Sequence, residues 1–203
     1  MSEAVTMKGG GHHDWNSADY VDGWMAKDRN REERRRPLLA KMMTLVPFAH
    51  DQVIRVLDVG GGYGAVSSFV LDTFPNARVT LQDYSAVMLE RAQHHFAGRR
   101  GPDAYVRSDL TDPAWVTSAG GPYDLVVSAI AIHNLGDADV FQQVYRAIHD
   151  LLVPGGWFID CDHFGHSGGV LLHLELLAKA GFDTTECPVE ESKTGIARAR
   201  RPY

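Results

Sequence analysis

The residues of this chain that could do chemistry stand at the ends of apolar stretches. Val56-Leu57-Asp58-Val59 runs into Gly60-Gly61-Gly62-Tyr63-Gly64, and a helix-forming run, Ala65 to Leu71, follows. Glycines at 60, 62 and 64 let backbone approach a ligand closely and take positive φ, while the loop amides and the helix start favour a polar or anionic group. The next apolar stretch closes on Asp83 and Tyr84, and the one after on Arg107-Ser108-Asp109-Leu110. The two oxygens of a carboxylate at 83 match the vicinal hydroxyls of a ribose. Tyr84 offers a ring to an adenine, and Asp109 can accept from an adenine amino group. A glycine turn alone also serves as a plain strand-to-helix turn. Gly60-x-Gly62-x-x-Ala65 with Asp83 downstream even satisfies the relaxed dinucleotide pattern. Asp58, Asp83 and Asp109, at three successive strand ends, form a constellation that points to a nucleotide-type cofactor.

A second group lies further along. Ser128-Ala129-Ile130-Ala131-Ile132-His133-Asn134-Leu135 leaves an apolar run, and an imidazole at His133 titrates near neutrality, as a general base should. The same histidine could instead pack against or cap the following helix. Asp160-Cys161-Asp162-His163-Phe164-Gly165-His166 places acids and histidines at another strand end. The spacing matches no standard metal site, so Asp162 and His163 are expected to line an acceptor pocket, with no metal. His12-His13 and His94-His95 read as surface pairs. Tyr20 and Trp24, four apart, share a helix face that either closes over the site or packs on the core.

These residues need a frame. After residues 1–13, expected to be loose, Asn16 or Ser17 can cap a helix carrying Tyr20, Val21, Trp24 and Met25. Pro37 suits the first turn of a second helix with Leu38, Leu39, Met42, Met43 and Val46 on one face, ended by Pro47. Strands are expected at Val53–Val59, Ala77–Gln82, Ala104–Arg107, Tyr123–Ser128 and Trp157–Cys161. The intervening helices fall near Gly64–Thr73, Ser85–Ala97, Pro113–Ser118 and Ala138–Leu152. Such alternation predicts an α/β, doubly wound, mostly parallel sheet with helices on both faces and strand ends sharing one edge. A helix over Gly169–Ala180 ends at Gly181, and the extended runs Phe182–Glu191 and Gly195–Arg201 predict an antiparallel C-terminal hairpin. Residues 14–50 read as a helical cap and 51–203 as the cofactor-binding domain.

At 203 residues, with 44% hydrophobic and 23% charged residues, the chain reads as one globular domain. A formal net charge of −6 disfavours nucleic acid as a partner. Arg29, Arg31, Arg34, Arg35 and Arg36, interrupted by Glu32 and Glu33, read as a solvated helix face. Two cysteines, Cys161 and Cys187, imply no disulfide framework. No apolar run approaches the ~20 residues of a membrane span, and Met1 to Gly11 has no signal-peptide character. A cytoplasmic protein without membrane contact is expected.

Over residues 53 to 202 the chain resembles the class I S-adenosylmethionine-dependent methyltransferases, of the small-molecule type. The resemblance rests on the glycine loop, LQDYSAVMLERA at 81–92, RSDL at 107–110, YDLVVSAIAIHNL at 123–135 and LLVPGGWFI at 151–159. It implies a Rossmann-like seven-stranded sheet and S-adenosyl-L-methionine as cofactor. Gly60, Gly61, Gly62 and Gly64, after Asp58, would hold the methionine end, Asp83 the ribose, and Tyr84, Ser108, Asp109 and Leu110 the adenine side. Ser128 would complete the cofactor wall. Asp58 favours this family over dinucleotide enzymes, which usually carry an apolar residue there. His133 resembles the base that small-molecule O-methyltransferases place after the fourth strand, with Tyr20, Trp24, Asp162 and His163 around the acceptor. Arg29 or Arg34 would reach the methionine carboxylate. The stretch between strand five and the last helix, His163 to Gly169, is shorter than the insertion many such enzymes use to cap the acceptor. The N-terminal helices or a second subunit of a homodimer would then close the site.

Overall fold

The computed structural model describes residues 14–203, apart from the side chains of residues 28–32 and 34. The loose start expected over 1–13 lies outside the described residues. The elements are α1 (Ala18–Thr44), β1 (Arg55–Val59), α2 (Ala65–Thr73), β2 (Arg78–Asp83), α3 (Ala86–His95), β3 (Ala104–Arg107), α4 (Trp115–Ala119) and β4 (Tyr123–Ala129). They continue with α5 (Ala138–Leu151), β5 (Leu152–Asp162), α6 (Val170–Ala180), β6 (Thr184–Glu191) and β7 (Thr194–Arg200). Short 3-10 turns lie at Ile132–Leu135 and Phe164–His166.

The strands form one seven-stranded sheet in the order β3-β2-β1-β4-β5-β7-β6. Neighbours among β1 to β5 run parallel, while β7 is antiparallel to both β5 and β6. The strand order reverses between β1 and β4, where an open α/β sheet leaves a crevice at its carboxyl edge. Alternation along β1 explains the two cores. Leu57 and Val59 face α4, α5 and α6, with Trp115, Phe141, Tyr145 and Ile148. Val56 faces α1 and α2, with Met42, Val66 and Val70.

The two helices expected before the sheet are one. α1 runs through Pro37, which lacks the amide that would bond the preceding turn, at a cost of ~3 kcal/mol. Leu39, Met42 and Met43 beyond it are buried against the sheet. Each contributes ~1.5–3 kcal/mol, enough to offset that cost. Ser17 caps the helix, its hydroxyl accepting from the Tyr20 amide.

β5 also differs from expectation. Its pairing with β4 begins at Leu152 rather than at Trp157, and Tyr123 and Leu125 face Leu152 and Trp157 respectively. Val153 to Gly156 therefore bulges out of the ladder, and Gly155, at φ 79°, donates to the Arg201 carbonyl. The segment sequence reasoning takes for a turn is a bulge inside the strand. Among the described residues no helix is long and apolar enough to cross a membrane.

Candidate functional site

The glycine loop is held from below by β2. The Gly60 amide donates to Gln82 Oε1 at 3.1 Å, the Gly61 amide to the Gln82 carbonyl at 2.9 Å, and the Gly62 amide to Asp83 Oδ2 at 2.8 Å. Gly60 has φ 63°, and a Cβ there would lie 2.5 Å from the Ala131 Cβ. Glycine is thus required both by conformation and by the chain after β4. Gln82 Nε2 also donates to the Ser108 carbonyl at 2.6 Å, so one buried amide on β2 joins the loops after β1 and β3.

A cavity of about 340 Å³ opens over this loop. Gly60, Gly61, Gly62 and Tyr63 form its floor, Gln82, Asp83 and Tyr84 one wall, and Asp109, Leu110 and Thr111 the far end. Ala129, Ile130, Ala131, Asn134 and Leu135 supply the opposite wall, and Trp15, Trp24, Arg35 and Leu39 cover it from the N-terminal side. Asp83 Oδ1 accepts from the Ser85 amide at 2.7 Å, so each of its oxygens holds one backbone amide. A carboxylate has about four acceptor positions, which leaves capacity for a diol. Burial raises the Asp83 pKa. Asp109 Oδ1 accepts from the amide and hydroxyl of Thr111.

Four residues expected at the cofactor do not line this cavity. Asp58 lies fully buried beneath the loop, where Oδ2 accepts from the Ser67 amide at 3.0 Å and hydroxyl at 2.6 Å. It fastens the first turn of α2 instead, and burial pushes its pKa up to about 7. Gly64 caps α2 at φ 92° and packs on Phe96. Ser108 contributes backbone rather than side chain, its carbonyl accepting from Gln82. Ser128 is buried in β4 opposite Asp160.

Of the N-terminal aromatics, Trp24 lines the cavity while Tyr20 does not. Tyr20 packs edge-on against Trp15, their ring centroids 5.3 Å apart, and Trp15 packs in the same way against Trp24. Sequence reasoning missed Trp15, Gln82 and Arg35 as wall residues. Gln82 had a readable signal, an amide one residue before the strand-end acid and bound to be buried by strand alternation. Trp15 stands before the helix cap and carries no periodicity. The Ser85 hydroxyl donates to the Trp15 carbonyl, and Arg91 bonds Asp22 through two nitrogens, each at 3.0 Å, so α3 anchors the start of α1. The side chains of Arg29 and Arg34 lie outside the described residues.

A second cavity, of about 430 Å³, adjoins the first and shares Arg35 and Ile130 with it. Pro37, Leu38 and Lys41 of α1, His163 and the hairpin residues Val189, Glu191 and Thr194 complete its walls. Ile130 takes φ 55°, a left-handed conformation that is costly for a β-branched residue, and its amide donates to the Cys161 carbonyl at 2.9 Å. Next to this cavity the Asp162 carboxylate collects three donors. Oδ2 accepts from the His133 amide at 2.9 Å, and Oδ1 accepts from the His163 amide at 2.7 Å and from His133 Nδ1 at 2.5 Å. His133 itself lines neither cavity. His163 does, with its ring centroid 5.2 Å from that of His133 and its Nδ1 2.7 Å from the Thr194 hydroxyl. Burial and the neighbouring His133 lower the His163 pKa, so its ring is neutral at pH 7.

Asp160, two residues before Asp162 on the same strand face, is buried, and neither its oxygens nor the Ser128 hydroxyl has a hydrogen bond of good geometry. Burial, with Asp162 nearby, raises its pKa well above the carboxylate range and keeps it a neutral acid. Behind it the Tyr145 hydroxyl lies 2.6 Å from His173 Nδ1, and His173 Nε2 lies 3.0 Å from the Ser167 carbonyl. Cys161 points to the other core, where burial raises its thiol pKa. Among the described residues no group of three or more His, Cys, Asp or Glu could hold a metal ion.

A family model described as a methyltransferase domain matches residues 57–158. Ribosomal RNA small subunit methyltransferase C of Pasteurella multocida is 26% identical over 54% of this chain and 31% of its own. Trans-aconitate 2-methyltransferase of Paracidovorax citrulli is 29% identical over 71% of this chain and 48% of its own. The matched stretch thus spans less than half the length of each of these curated relatives, 31% of the first and 48% of the second. Among solved structures, human N-acetylserotonin methyltransferase in complex with SAM superposes with a TM-score of 0.70 at 17% identity, covering 93% of this chain and 58% of that one. At that identity the likeness concerns the fold.

Proposed function

Because the chain belongs to the S-adenosylmethionine-dependent methyltransferase family, we propose that it methylates an oxygen of a small-molecule acceptor. The residues around the first cavity fit the cofactor. The loop at Gly60 would be blocked by any Cβ, and Asp83 keeps acceptor capacity on the wall. Gly60 to Gly62 would hold the methionine end, Asp83 the ribose, and Tyr84, Asp109 and Leu110 the adenine, with Trp15 and Trp24 excluding water from above. When bound, S-adenosylmethionine supplies an electrophilic methyl group on a sulfonium.

The observation that carries the oxygen reading is the His133–Asp162 pair. An ionised carboxylate only accepts, so Asp162 requires a proton on His133 Nδ1 and leaves the lone pair on Nε2. The second bond, from the His133 backbone amide to Asp162, fixes the ring's origin. His133 lines neither cavity, but its ring stands 5.2 Å from that of His163, which lines the second. A base so oriented would take the proton of an acceptor hydroxyl brought to Nε2 while Asp162 stabilises the imidazolium, a contribution of ~10²–10⁴-fold. Alignment of the acceptor in the adjoining second cavity supplies the rest. The unpaired thiols Cys161 and Cys187 support a cytoplasmic setting.

The test is methyl transfer from radiolabelled S-adenosylmethionine to a panel of phenols, carboxylic acids, thiols and amines, with cofactor binding followed by calorimetry. His133→Gln and Asp162→Asn should bind the cofactor as the parent does and transfer ~10²–10⁴-fold more slowly to a hydroxyl acceptor. Undiminished transfer by both variants would remove the base. Methyl incorporation into RNA, with none in the panel, would overturn the small-molecule reading.

A further inference from the structure

The second cavity has the charge and the donors of a site for an anion. One wall comes from α1, where Arg35, Leu38 and Lys41 stand at i, i+3 and i+6, with Leu38 between the two cations. Facing them are His163 and Thr194, with Glu191 as the one formal negative charge on the described wall. The neutral ring of His163 adds no charge of its own. It lies close enough to Arg35 for the guanidinium to disfavour its protonation. On the described wall two cationic side chains stand against one carboxylate, in a chain whose overall charge is −6. About 430 Å³ is room for a small metabolite. The strained Ile130 and Arg35 stand where the two cavities meet, so whatever fills the second lies against the end of the first.

We propose that the second cavity is the acceptor subsite and that it selects acceptors bearing a carboxylate, held by the Arg35 guanidinium and the Lys41 ammonium. This rests on the methyl-transfer reading for the word acceptor, though the anion site itself does not. A planar guanidinium matches the two oxygens of a carboxylate, and an ammonium adds a point charge from the same helix. The hydroxyl to be methylated would then lie at the other end of the acceptor, toward Ile130 and the first cavity.

Benzoate and its neutral analogue benzamide separate charge from shape. Each would be titrated into the full ¹⁵N-labelled chain, with and without saturating S-adenosylhomocysteine, which supplies the cofactor's own carboxylate. Benzoate should shift the backbone amides of Val189, Glu191 and Thr194 saturably and bind ~5–10-fold more tightly than benzamide, with the difference shrinking as salt is raised. Lys41→Gln, at an exposed position, should remove most of that difference while leaving the rest of the amide spectrum in place. Equal binding of the two probes, shifts confined to other residues, or a Lys41→Gln variant that still prefers benzoate as strongly would overturn the proposal. Benzoate binding at these amides without any binding of S-adenosylhomocysteine would spare the anion site and sink the methyl-transfer reading. The converse would sink only the anion site.

Discussion

Replacing Asp58 by Asn should change how stability depends on pH, by an amount that follows from its surroundings. The carboxylate is fully buried, and its two bonds from Ser67 do not outweigh the loss of water, so its pKa rises from 3.8 to about 7. The folded chain therefore keeps a proton on Asp58 over a range in which the unfolded chain has lost it. A folded-state pKa raised in this way stabilises at low pH, and the contribution is lost as pH rises through about 7. With 1.36 kcal/mol per unit for one proton, the loss between pH 5 and pH 8 comes to about 2.5 kcal/mol. Asparagine keeps an oxygen to accept from Ser67, and its amide nitrogen takes the place of Oδ1, which has no partner. That unsatisfied donor costs ~1–3 kcal/mol at every pH alike. Urea unfolding of both proteins at four pH values from 5 to 8, followed by tryptophan fluorescence, isolates the slope. The variant should be the less stable protein at pH 5 and should recover about 2.5 kcal/mol on the parent by pH 8. Asp160 titrates in both proteins and cancels. Parallel stability curves would refute a proton-holding Asp58.

Gln82→Leu leaves the Gly60 amide and the Ser108 carbonyl without their partner, and calorimetry should show S-adenosylmethionine binding ~10-fold weaker or worse, with far-UV circular dichroism unchanged. Gly60→Ala puts a methyl 2.5 Å from Ala131 and should abolish measurable cofactor binding. Gly98→Ala, at φ 78° but in open space, should cost only ~1 kcal/mol of stability and leave binding intact, and equal losses in the two would discount the steric argument. Asp160→Asn removes a buried acid that must stay neutral but buries an amide without a partner, so its thermal midpoint should rise relative to the parent's between pH 5 and pH 8 whatever the constant offset. A difference between the two midpoints that stays constant or falls from pH 5 to pH 8 would mean that Asp160 is not held neutral.

Strands, helices and the glycine loop were legible because they rest on neighbours in sequence. Hydrophobic period sets each element, and a loop that must take positive φ ahead of a helix admits few residues besides glycine. Asp83 was legible for the same reason, as a polar residue closing an apolar strand. Pro37 misled because local propensity forbids what distant burial of Leu39, Met42 and Met43 makes favourable. Asp58 was found by its position, yet whether it meets a ligand or Ser67 depends on where α2 begins.

The sequence by itself determined the alternation of strands and helices, the shared edge of strand ends and the acids along it, since each follows from period, spacing and residue type, while the strand order came with the structure. Tertiary structure alone decided which acid does what. Asp160 and Asp162 are the same residue type two positions apart on one face. One has no hydrogen bond of good geometry and stays neutral, while the other holds three donors and orients His133. It also decided that Arg35 and Lys41 share a cavity with Glu191 and Thr194, across some 150 residues of chain. Charge and hydrogen-bond partners are properties of distance in space, and no spacing along a chain encodes that until the sheet has brought the segments together.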